Sequence, residues 1–287
     1  MIRLHAALWP ALLLLAQDGE PDRHRKGAYV PQFTDHHPLS AVAEVCKRVG
    51  WKPADVRKAD PAVDTWKLQE ESYEVVVPDS YSPDKAAGLL VWISPMDSGR
   101  VPEEWPAVLA KRHLIVIGAN NSGNDRGPYY RMALALDAVH NMQKRYNLDP
   151  KRIYITGFSG GGRASSRIGI LYPDVFRGGL YQGGIEFYKD VTDPADPKKS
   201  FRAGFNKPEG DLFKKVRQES RHVVLAGSED FNHRPSKAIF EMMKKEQFAN
   251  AAFLEMPGED HVPATVEWLE KALDFLDAPP KDAKPKK

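Results

Sequence analysis

The stretch Arg152-Ile-Tyr-Ile-Thr-Gly157-Phe-Ser159-Gly-Gly161-Gly-Arg163 constrains this chain more than any other. A short apolar run feeds without a linker into a serine flanked by glycines at 157 and 161. Glycine at both places lets a strand and the helix after it pass closer than side chains would permit. The serine then stands alone on a tight strand-to-helix turn, with the Gly160 N–H beside its hydroxyl. A Gly-x-Ser-x-Gly match arises by chance in roughly one chain in ten of this length, so the surrounding sequence must decide its meaning.

That surrounding sequence alternates between two periodicities. Short apolar runs at 73–77, 88–93, 113–118, 152–156, 179–181, 222–226 and 252–256 predict strands, and their β-branched content suits burial on both faces. Between them, Tyr129, Met132, Ala133, Leu136, Val139 and His140 recur at helical spacing, as do Val262, Val266, Leu269, Leu273 and Leu276 near the end. Such alternation predicts an α/β fold with a mostly parallel central sheet and helices on both faces. A chain of 287 residues is long enough to form one such domain around a sizeable core.

The two ends read differently from the middle. Residues 1–16 combine an early Arg3, the apolar run Ala6-Ala-Leu-Trp-Pro-Ala-Leu-Leu-Leu-Leu-Ala16 and an abrupt polar turn, which predicts an export signal too short to span a bilayer. Residues 17–34 are charged and proline-punctuated and are expected to be a linker, which places the domain at 35–277. Residues 278–287, rich in proline and lysine, are expected to be a disordered basic tail. The single cysteine, Cys46, allows no internal disulfide and does not follow the leader, so no lipid anchor has an acceptor there. The expected location is outside the cytoplasm of a bacterium, with no stable membrane anchor. A formal net charge of +2 gives no field suited to nucleic acid.

A serine hydroxyl becomes a good nucleophile only when a base takes its proton, and imidazole does this near neutral pH. In a parallel sheet the functional groups gather at the carboxyl ends of the strands. Two later strands end suitably. His222-Val-Val-Leu-Ala-Gly227-Ser-Glu-Asp230 closes on a carboxylate, and Ala252-Phe-Leu-Glu-Met-Pro-Gly258-Glu-Asp-His261 closes on a histidine. Asp230 is therefore the expected orienting acid, with Glu229 as its neighbour and rival. His261 is the expected base, with His233 competing. His140, on an apolar helix face, is expected to be a core residue, and His36-His37 lacks a metal partner at helical spacing.

The order Ser159, Asp230, His261 resembles that of the α/β-hydrolase family. The likeness runs from about Gly88 to Asp277. The Gly-Phe-Ser-Gly-Gly-Gly and Gly-Ser-Glu-Asp-Phe stretches are most similar to secreted bacterial esterases of the polyhydroxybutyrate-depolymerase and feruloyl-esterase type. The resemblance implies an α/β-hydrolase fold and hydrolysis of a small-molecule or polymeric ester through an acyl-enzyme. It implies no metal and no organic cofactor.

In that frame the oxyanion hole combines the N–H of Gly160 with a second donor after the strand at 88–93. Many family members carry His-Gly there, but this chain has Ser94-Pro95-Met96. Pro95 has no N–H, which leaves Met96 as the aligned donor. Asn121, Asn124 and Arg126, in a loop rich in hydrogen-bonding groups, are candidate contacts to a hydroxylated substrate. A peptidase on the same fold and a non-catalytic binding module are the alternatives within this architecture. A dinucleotide-binding turn fails because Arg163 stands where Thr-Gly-x-x-x-Gly-x-Gly requires glycine.

Overall fold

A computed structural model describes residues 23–278. The leader expected at 1–16 and all of the tail expected at 278–287 except Ala278 lie outside the described residues. Eight strands form one sheet in the order β1 (Gly27–Tyr29), β2 (Tyr73–Val77), β4 (Leu114–Ala119), β3 (Ala87–Ile93), β5 (Leu148–Phe158), β6 (Gly178–Gln182), β9 (Arg221–Gly227) and β10 (Ala251–Met256). From β4 across to β10 every pairing is parallel, while β1–β2 and β2–β4 are antiparallel. A separate hairpin, β7 (Val191–Asp193) and β8 (Asp196–Phe201), interrupts the passage from β6 to β9.

Helices cover both faces, so strands such as β3 and β4 are buried along their whole length. On one side α3 (Trp105–Lys111) and α8 (Val266–Asp277) pack over Leu90, Val116, Leu180 and Val223. On the other side the larger core takes in α1 (Val42–Val49), α4 (Pro128–Arg145), α5 (Gly160–Leu171), α6 (Gly210–Gln218) and α7 (His233–Lys245). The short α2 (Pro53–Ala59) follows α1 without a fully buried residue.

All seven predicted strands are present, but the linker expected at 17–34 gives way over its described part. Gly27–Tyr29 pairs with β2, and the Phe33 ring is completely buried against Tyr73. Residues 36–40 then dock on α4. Asp137, with no exposed surface, accepts hydrogen bonds from the His37 backbone N–H at 2.6 Å and Ser40 Oγ at 2.7 Å, and its other oxygen lies 2.9 Å from His36 Nδ1. A buried carboxylate needs such partners. The His36-His37 pair thus closes one end of the domain, and among the described residues no group of three or more His, Cys, Asp or Glu is arranged to hold a metal.

His222 in β9 is fully buried, with Nε2 3.1 Å from the Val216 carbonyl and Nδ1 2.9 Å from the Tyr181 hydroxyl. A carbonyl only accepts, so the proton sits on Nε2 and Tyr181 donates to Nδ1. Burial drives this imidazole down to about 4. Below the ordinary value near ~6.5 the unfolded chain takes up a proton that the folded chain refuses. Stability present above that pH is therefore lost as pH falls toward the folded value, by about 3 kcal/mol in all. Urea unfolding of His222→Gln at pH 7 and pH 4 is expected to show that much less acid sensitivity than the wild type; equal sensitivity would exclude this origin.

Candidate functional site

Ser159 directly follows β5 and caps α5 with φ 56° and ψ −120°. A side chain is rarely tolerated there, and the strain persists only where the surroundings over-determine it. They do so here. The Ser159 N–H donates to the Gln182 carbonyl at 2.8 Å, and its carbonyl accepts from Arg163 N at 3.1 Å. A Cβ on Gly157 would collide with the Gly161 carbonyl, and one on Gly161 with the Ile93 carbonyl. The paired glycines are needed because β5, α5 and the end of β3 cross at this one point.

Asp230 and His261 arrive from the ends of β9 and β10. His261 Nε2 lies 2.9 Å from Ser159 Oγ, and its Nδ1 lies 2.9 Å from Asp230 Oδ2. The Asp230 side chain has no exposed surface, and its Oδ1 accepts from the Asn232 N–H at 2.7 Å. A carboxylate only accepts, so His261 carries its proton on Nδ1 and turns the bare Nε2 toward the serine. The ring lies between Phe158 and Phe231, each with its centroid 4.5 Å away. The rivals stand elsewhere: His233 Nε2 pairs with Glu255 at 2.5 Å, and Glu229 accepts from the Ser228 hydroxyl. His140 is half-buried, with its ring edge-on to His37.

Two residues that the sequence reading passed over hold this arrangement. Gln182 is fully buried; its Nε2 donates to Thr156 Oγ1 at 2.7 Å and its Oε1 accepts from the Ala264 N–H at 2.8 Å. It therefore ties the serine strand to the loop that carries His261. Asn232 joins Asp230 to the end of β6, donating through Nδ2 to the Gly183 carbonyl at 2.8 Å. An amide directly after the apolar run at 179–181 was the available signal for Gln182, but only the sheet order shows what it links.

The expected oxyanion donors are less alike than they looked. Gly160 opens α5, where backbone N–H groups have no partner within the helix. The Met96 N–H, expected to be free, instead donates to Ser94 Oγ at 3.0 Å. Pro95 bends the chain so that the Ser94 hydroxyl reaches two residues on, a common serine turn. The Met96 side chain is exposed beside this turn.

The three candidate substrate residues separate. Asn124 is exposed, donates its N–H to the Pro95 carbonyl at 3.0 Å, and sets its side-chain oxygen where a Cβ on Gly160 would be. Asn121 adopts φ 51° and donates its N–H to the Asp97 carbonyl at 2.6 Å, which makes it part of a turn. Arg126 pairs with Glu71 at 2.5 Å and stacks over the Tyr130 ring. It lines a cavity of about 820 Å³ with Trp51, Val56, Asp60 and Tyr130, and neither Ser159 nor His261 borders that space.

No family model matches the chain, and no curated protein matches it. Solved structures do. A feruloyl esterase module from Clostridium thermocellum superposes with a TM-score of 0.51 at 15% identity, over 71% of this chain and 81% of its own. S-formylglutathione hydrolase from Staphylococcus aureus superposes with a TM-score of 0.52 at 13% identity, over 88% of this chain and 98% of its own. Dipeptidyl peptidase 4 from Porphyromonas gingivalis gives 0.52 at 15% identity over 72% of this chain, which spans only 33% of that peptidase. No helix among the described residues is long and apolar enough to cross a membrane.

Proposed function

We propose that this chain, which has the α/β-hydrolase fold, is a serine carboxylesterase acting through an acyl-enzyme. The observation that carries the reading is the unbroken line Ser159 Oγ, His261 Nε2, His261 Nδ1, Asp230 Oδ2, with 2.9 Å at each hydrogen bond. As Ser159 Oγ bonds to the ester carbonyl carbon, its proton passes to His261 Nε2 and the carbonyl oxygen becomes negative. The buried Asp230 carboxylate stabilises the imidazolium that forms. The Gly160 N–H receives the oxyanion, where fixed dipoles act most strongly, and the Met96 N–H joins it only by sharing or leaving its bond to Ser94 Oγ. Collapse of the intermediate breaks the bond to the alcohol, which leaves with the proton from Nε2. Water then gives a proton to Nε2, attacks the acyl-enzyme and releases the acid, restoring Ser159.

A nitrophenyl ester and a matched nitroanilide separate this reading from the peptidase alternative. The ester is expected to be hydrolysed at least ~10²-fold faster, since its leaving group needs less protonation help from His261. Faster anilide cleavage would favour a peptidase. Well-folded protein inactive on both substrates, and unlabelled at Ser159 by a fluorophosphonate, would favour a binding module. The export expected from residues 1–16 belongs to the same proposal, because a secreted esterase would meet polymeric esters outside the cell.

A further inference from the structure

Arg131, in the first turn of α4, is 7% exposed, and among the described residues no carboxylate lies within salt-bridge distance of it. Its Nε has no hydrogen-bond partner. Burial, with the Arg167 charge adding, brings its guanidinium down to about 10, so it stays charged at neutral pH. An unpaired cation is costly to bury. What it touches gives it a use. Nη2 donates to the Ser94 carbonyl at 3.0 Å, and Nη1 lies 3.5 Å from Asn124 Oδ1.

The first contact and the Asn124 backbone N–H hold consecutive peptide planes. Turning the Ser94 carbonyl toward Arg131 orients the Ser94–Pro95 peptide. In the next plane the Pro95 carbonyl accepts from Asn124 N at 3.0 Å. The Met96 N–H lies trans to that carbonyl across a planar bond, so fixing one end aims the other. The same Asn124 side chain packs on Gly160, which bears the first oxyanion donor. Both walls of the oxyanion hole are thus referred to a single guanidinium.

We infer that Arg131 is a positioning residue that holds the Ser94–Met96 turn against Gly160, so that the Gly160 N–H, and the Met96 N–H once it turns from Ser94 Oγ, meet the oxyanion. The inference rests on the serine-esterase reading above. It concerns a contact that strengthens only when the carbonyl oxygen becomes negative, and the expected signature is a loss in kcat with little change in KM.

The test compares Arg131→Met, Arg131→Lys and Asn124→Ala with the wild type on a nitrophenyl ester, alongside binding of phenylboronic acid, whose adduct with serine is tetrahedral. Arg131→Met is expected to lose ~10²-fold in kcat, with KM within about twofold and boronate affinity falling in parallel. Arg131→Lys should recover part of both, because it restores the charge without the two-pronged reach. Asn124→Ala, which removes no buried charge and keeps the fold accessible, should show a smaller loss of the same kind. A lowered melting temperature with kcat and boronate affinity unchanged, or an effect confined to KM, would overturn the inference. Wild-type protein without Ser159-dependent turnover would overturn the esterase reading and this inference together. Normal wild-type turnover with unaffected variants would overturn the inference alone.

Discussion

Replacing Ser159 with alanine is expected to lower kcat/KM for a nitrophenyl ester by ~10⁴-fold or more and to abolish labelling by a fluorophosphonate. The size follows from the geometry. Among the described residues, Ser159 Oγ is the hydroxyl that meets His261 Nε2, at 2.9 Å, so its loss leaves no other nucleophile coupled to the base. The substitution is also mild for the fold, because the N–H of residue 159 still donates to the Gln182 carbonyl. Far-ultraviolet circular dichroism should therefore match the wild type. An active, labelled Ser159→Ala protein would remove the serine from the mechanism.

Asp230→Asn is expected to cost ~10³- to 10⁴-fold in kcat without displacing either neighbour. The Asn232 N–H donates to Oδ1 at 2.7 Å, so the new amide must keep its oxygen there. Its NH₂ group then faces His261 Nδ1 and turns that nitrogen into an acceptor. The ring proton moves to Nε2, the atom that should take the proton of Ser159, and the base is lost through its tautomer alone. Single-turnover acylation by the nitrophenyl ester measures this directly. Near-normal acylation would transfer the role to another acid, and Glu229→Gln is the companion variant that would reveal it.

The sequence was most legible where function and secondary structure share a boundary. Ser159, Asp230 and His261 each follow a strand, and strands buried on both faces announce themselves as β-branched runs. β1 offered no such run, because three residues between Lys26 and Val30 have no usable period, and its place depends on the edge that β2 presents. The β7–β8 hairpin, with Lys198 and Lys199 exposed, looks like any polar loop. Arg131 was hidden for a related reason. By helical spacing it falls opposite Tyr129, Met132, Ala133 and Leu136, where a polar face is expected, yet that helix is buried almost all round, and Arg131 lies against the Ser94 carbonyl beyond β3 and the Asn124 side chain. Periodicity records which residues are apolar, whereas the burial of a cation is decided by elements far away in the chain.

The pairing of β1 with β2 also sets a limit on how this protein can be processed. Removing residues past Gly27 would strip the edge of the sheet of its backbone partners at Val75, Val76 and Val77, and a cut past Phe33 would open the core around Tyr73. Any maturation compatible with the fold must therefore stop upstream of residue 27, and the chain then enters the sheet at its β1 edge, six strands away from β9, the strand that delivers Asp230.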